Sequence, residues 1–267
     1  MNIIDLPNDV LSEIFSHQPD FEFIQTISTC KILYKCQKLK TLTDWYNILL
    51  IKCNEYQYNF KKCIYDHSHI FYDAFPKSVT IVKMTLDTAW DKYGISKLPD
   101  WINNIEINYF MSFEEYGMYN PPPNQLYKWP SQLKKLTYDI SHADSLFKID
   151  TINLPDTLSK LTIRCHEFND LINILSLVEL DLCYCANFNQ PLDHLINLKK
   201  LKLYTYPGYF EESKITFPPK LETLILSSLG CEDTKDEVEE NEFIKKIPFP
   251  DFIKSIYVDG YKKKIVR

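Results

Sequence analysis

Glycine is scarce in this 267-residue chain. There are five, at positions 94, 117, 208, 230 and 260, scattered singly. A phosphate-cradling loop needs glycines clustered close together, so neither the dinucleotide fingerprint nor the P-loop is present. Positive charge is also short. Thirty Lys and Arg stand against 36 Asp and Glu, a net charge of −6. That balance disfavours nucleic-acid binding driven by bulk charge. No apolar run approaches the ~18 residues of a membrane span. The opening MNIIDLPNDV carries neither a basic leader nor an apolar stretch, so no secretory signal is expected. Outside an oxidising compartment, the eight cysteines read as free thiols. Gly-x-Ser-x-Gly, His-Glu-x-x-His and EF-hand patterns are missing as well. The expectation is a non-enzymatic protein without a cofactor, intracellular (cytoplasmic or nuclear), binding neither membrane nor nucleic acid.

What the chain does hold is a recurring frame. An anchor, usually proline, is followed by apolar side chains at +3, +6 and +8. The copies start at Pro76, Pro99, Pro130, Pro155, Ile174, Leu195, Pro218 and Pro250. In the fourth, Pro155 leads to Leu158, Leu161 and Ile163. An x-x-Leu-x-x-Leu-x-Leu frame recurring roughly every 20–30 residues is the leucine-rich-repeat signature. Side chains alternate along a strand, so positions +6 and +8 share one face. A single short strand cannot bury that face, whereas stacked copies form a parallel sheet over one core.

Solenoids of this kind bind partners on a concave sheet. Positions +5, +7 and +9 face outward there. They read Lys160/Thr162/Arg164, then Glu179/Asp181/Cys183, then Lys200/Lys202/Tyr204, so an acidic fifth copy lies between basic fourth and sixth copies. Lys160, Arg164, Glu179, Asp181, Lys200, Lys202 and Tyr204 are the candidate target-binding residues. The two long intervals contain Met111–Asn124 and the acidic stretch Glu232–Glu242, both read as inserted loops. The tail from Lys262 to Arg267 reads as a solvated chain end. Cys183-x-Cys185 with Cys165-His166 lacks the paired C-x₂₋₄-C spacing of structural zinc, so no metal is expected. His67-x-His69 reads as loop.

Residues 1–70 follow another pattern. Val10, Leu11, Ile14 and Phe15 fall on one helical face by their spacing. Pro7 suits an early helix position. Helical spacing continues from Phe23 to Tyr34, and Thr43–Lys52 is a third helix candidate. The domain reading is a helical unit over 1–50, a linker or helical cap over 51–75, and about eight repeats over 76–267. The fold class is α+β, with a curved solenoid built on a parallel sheet of about eight strands.

Leu6-Pro7-Asn8-Asp9-Val10-Leu11, then Ile14-Phe15, Ser28-Thr29-Cys30-Lys31 and Trp45, resemble an F-box. Leu33 departs from the aromatic usual at the second position after Cys-Lys. Phe168-Asn169 and Phe188-Asn189-Gln190-Pro191-Leu192 resemble FNIP-type repeats. An F-box followed by such repeats is similar to proteins of amoebae and giant viruses. The resemblance implies a substrate receptor of an SCF-type ubiquitin ligase. A Skp-family adaptor, and through it a cullin scaffold, would dock on Leu6, Pro7, Leu11, Ile14 and Phe15, and the repeats would hold an unknown target protein. The alternative is a repeat scaffold with no ligase role, its N-terminal helices serving as a cap.

Overall fold

The computed structural model describes residues 6–28, 37, 40–47, 59–65, 75–85, 95, 98–108, 128–139, 154–165, 168–183, 185, 188–205, 215–228, 249–259 and 263–266. Two helices come first, α1 (Asn8–Ser16) and α2 (Asp20–Ser28). Eleven strands follow: β1 (Thr41–Asn47), β2 (Asn59–Tyr65), β3 (Ile81–Thr85), β4 (Asn104–Asn108), β5 (Lys135–Asp139), β6 (Lys160–Arg164), β7 (Glu179–Cys183), β8 (Lys200–Thr205), β9 (Thr223–Ser228), β10 (Ser255–Asp259) and β11 (Lys263–Val266). They form one sheet in strict chain order. β1 to β10 are parallel, and β11 turns back antiparallel against β10.

Each of the eight frames begins its strand at position +5 from the anchor, and every frame position with described burial is buried. The turn before the strand repeats too. The anchor carbonyl accepts the N–H at +3 over 2.9–3.2 Å in all eight copies, from Val79 onto Pro76 to Ile253 onto Pro250. Proline holds φ at about −65° in such a corner and thereby limits the freedom of the unfolded chain. Ile174 and Leu195 make the same turn without it. Just before the strand, the carbonyl at +4 accepts two amides of the next coil. The Lys134 carbonyl, for example, takes the N–H groups of Ser159 and Lys160 at 2.9 and 3.0 Å. Backbone groups that would be orphaned between coils are thus paired.

The coils are also tied by polar side chains. Ser176 donates to the Leu158 carbonyl at 2.7 Å, and Asn197 to that of Leu175 at 2.9 Å. Phe168 and Phe188, the matching positions of the two Phe-Asn elements, stack with centroids 5.8 Å apart and planes 3° from parallel. Beside them Asn169 accepts the Asn189 amide at 2.7 Å.

Three expectations are corrected. Among the described residues the parallel strands number ten, not about eight, because β1 and β2 precede the first frame. Thr43–Lys52 is not a helix where it is described, since β1 runs through Asn47. Its Thr-Leu-Thr-Asp-Trp-Tyr run favours a pleated surface through β-branched and aromatic side chains, and pairing with β2 satisfies one edge of its backbone. Within the tail, Lys263–Val266 is strand β11, not a free end.

At both ends the outermost parallel strand has a further neighbour. Exposed strand edges invite unwanted pairing. At the C-terminal end β11 pairs with β10. At the N-terminal end α2 packs beside β1, and Leu11 and Phe15 of α1 share one core cluster with Phe23, Ile27, Leu42 and the repeat residues. No helix among the described residues is long and apolar enough to cross a membrane.

Candidate functional site

The N-terminal helices present two faces. Pro7, in an extended conformation, precedes α1, and its carbonyl accepts the Leu11 N–H at 3.0 Å. Leu11 and Phe15 point inward and are buried, with Phe15 edge-on to Phe23 at 5.1 Å. Leu6 is half-buried against the same core. Of the five residues expected to meet an adaptor, only Pro7 and Ile14 are exposed. Val10 and Ile14, one turn apart, are 40% and 37% exposed, and Phe21 at the start of α2 is 68% exposed. Val10 belongs to the helical stripe seen in the sequence but not to the contacts expected from it, and Phe21 belongs to neither. A phenylalanine flanked by Asp20 and Glu22 carries no signal of its own until its neighbours are seen to turn inward. Cys30 and Lys31 lie outside the described residues, as does the Trp45 side chain.

α2 is held to β1 by one carboxylate. Asp20 Oδ2 accepts the Thr43 and Asp44 amides at 2.6 and 2.8 Å and the Tyr46 hydroxyl at 3.2 Å. Its Oδ1 pairs with Lys40 Nζ at 3.0 Å. The Lys40 ammonium also donates to the Gln18 carbonyl and lies 5.6 Å from the Phe23 ring centroid. Burial raises the Asp20 pKa, but the Asp44 amide, the Lys40 ammonium and the Thr43 amide outweigh it and hold the carboxyl below its ordinary value. Burial first, and then the Asp20 charge, push the Tyr46 phenol upward.

The second surface is the outer face of the sheet. The parallel register sets Lys160, Glu179 and Lys200 side by side, and likewise Thr162, Asp181 and Lys202. Lys160 Nζ meets Glu179 Oε2 at 2.9 Å, and Arg164 donates to Asp139 at 2.9 Å. The Lys160 hydrogen bond lowers the Glu179 pKa, with help from Lys200 and Lys135. Asp181 goes the other way, since burial between its neighbours raises its pKa against the pull of Lys202 and Arg164. The structure thus brings together Lys160, Glu179, Asp181, Lys200 and Lys202, with Arg164 beside Cys183. The Tyr204 side chain lies outside the description. Lys135 and Asp139, the outward +5 and +9 positions of the third copy, belong to the same field.

Among the described residues, no group of three His, Cys, Asp or Glu is placed to hold a metal. Cys165 and Cys185 are buried thiols, the latter pushed well up by desolvation, and its Sγ–H points to the Ile163 carbonyl at 3.4 Å. His67, His69 and His166 and the stretches 109–127 and 229–248 lie outside the described residues.

A comparison with curated proteins finds no match. Comparison with family models finds one for the N-terminal unit: residues 3–45 match the F-box domain, a match that spans α1, α2 and the start of β1.

Proposed function

We propose that this chain is the substrate-recognition subunit of an SCF-type ubiquitin ligase, with an FNIP-like leucine-rich-repeat solenoid as its target-binding part. The observation that carries the proposal is the F-box match over 3–45 joined directly to a parallel-sheet solenoid. F-box domains generally bind Skp-type adaptors, and an adaptor in turn links to a cullin. Pro7, Val10, Ile14 and Phe21 offer it exposed apolar side chains. The solenoid would hold a target protein. The receptor performs no chemistry in this scheme; it acts by raising effective concentration and fixing orientation. The experiment is titration of the full chain with purified Skp-family adaptor. Binding at or below tens of micromolar supports the receptor, and no binding at that concentration removes it.

A second reading has its own support. α1 and α2 share the core of the solenoid, and α2 is held against β1, as in a terminal cap. A binding scaffold without a ligase role would look the same at this end. Such a scaffold would be recovered without adaptor and would still capture its target.

A further inference from the structure

The outer face of β5 to β8 has a charge excess opposite to that of the whole chain. The protein carries a net −6, yet each acid on these four strands has a basic side chain beside it on the next strand. Asp139 is held by Arg164, Glu179 by Lys160, and the desolvated Asp181 faces Lys202. Two ammonium groups are left over. Lys135 and Lys200 are exposed, and neither holds an ion pair among the described residues. Register places them on the row Lys135–Lys160–Glu179–Lys200, so three lysines surround one carboxylate. The adjacent row runs Thr137–Thr162–Asp181–Lys202, two threonines followed by an acid beside a lysine.

Spacing on this row is fixed by the sheet. Neighbouring strands lie ~4.8 Å apart, so three steps separate Lys135 from Lys200 by about 14 Å. An extended peptide advances ~3.3 Å per residue, so four residues cover nearly the same distance. We infer that the outer face of β5–β8 binds an extended anionic peptide segment laid across the strands, with acidic groups four residues apart seated at Lys135 and Lys200. A nucleic acid fits less well, because its continuous phosphates would meet the repulsion of an acidic protein, whereas two isolated charges use the local excess alone. This inference names the target chemistry of the receptor proposed above and rests on that reading for its biological role.

The test uses the full chain and synthetic nonapeptides of Ala, Gly and Ser that carry two Glu at every spacing from adjacent to eight apart. A parallel set carries phosphoserine. Fluorescence anisotropy should show strongest binding at the four-residue spacing, about tenfold over adjacent acids, and a loss with added salt. Lys200→Gln or Lys135→Gln should each erase the preference, while melting temperature stays unchanged. The better of the two sets tells whether carboxylate or phosphate is preferred. A response flat in spacing, a preference that survives both variants, or tighter binding of a single-stranded oligonucleotide would overturn the inference. Adaptor capture is measured on the same samples. Its failure removes the receptor while leaving the spacing result to stand or fall alone.

Discussion

Asp20 and Lys40 form an ion pair of 3.0 Å whose two side chains are only 2% and 6% exposed. Removing one partner from such a pair leaves the other charge buried, a cost of about 3–5 kcal/mol. Asp20→Ala should therefore free α2 from β1 and unfold the N-terminal unit before the repeats. Hydrogen exchange of α1 and α2 amides would show it. Exchange unchanged from wild type would mean that the pair does not hold the joint.

The same residue sets an acid response. Its folded pKa lies below the ordinary value of 3.8. The stabilisation is thus present above that value and lost as pH falls through the folded pKa. Protection of α2 should decline below about pH 4, and Asp20→Asn should lack this step while being weaker throughout.

Asp181 has the opposite sign. Its folded pKa is raised, so the ionised form is less favoured in the fold than in the open chain. That costs stability as pH rises above its ordinary value. Asp181→Asn should raise the melting temperature at neutral pH, and the gain should vanish in acid. A lower melting temperature at neutral pH would show that its attraction to Lys202 and Arg164 outweighs desolvation.

In the N-terminal helix, packing and docking should separate. Phe15→Ala removes a fully buried ring and should cost about 3–5 kcal/mol. Val10→Ala with Ile14→Ala should leave stability within about 0.5 kcal/mol, as exposed changes do. Adaptor affinity should nevertheless fall by at least tenfold if these side chains are anchors. Calorimetry and adaptor titration read the two effects. If Val10 and Ile14 prove silent in titration, the adaptor meets another face.

Leu161 tests the frame. It is fully buried, and Leu161→Asp should abolish soluble folded protein, because an unpaired charge would enter the stacked core. Leu175→Asp, on an exposed turn, should fold. Equal melting temperatures for both variants would contradict the coil arrangement.

The eight frames are legible in the sequence because proline marks the corner and Leu or Ile fills most of the inward positions. β2 fills them with Phe60, Cys63 and Tyr65, and Gln57 stands where proline would be. The pairing Cys63–Val82 and Tyr65–Met84 shows that the same geometry continues, but pattern matching on aliphatic residues passes over it. β11 is hidden by its lysines, whose edge position tolerates charge. The outer face can be read as alternating charge, but not which charges neutralise one another. That depends on side-chain reach between strands a whole coil apart in the chain, as from Lys160 to Glu179. The Asp20 joint is illegible for a related reason, since its partners Lys40, Thr43, Asp44 and Tyr46 all lie well downstream.

Because the F-box match ends inside β1, the matched segment and the sheet share a strand, and an adaptor on one and a target on the other would be joined through the solenoid itself. Each coil then acts as one division of a ruler. From β1 to β7 there are six strand intervals, about 29 Å at ~4.8 Å each. A cargo gripped at β7 would hang at a set reach from the adaptor. Adding or deleting one coil between them would move it by ~5 Å without altering either grip.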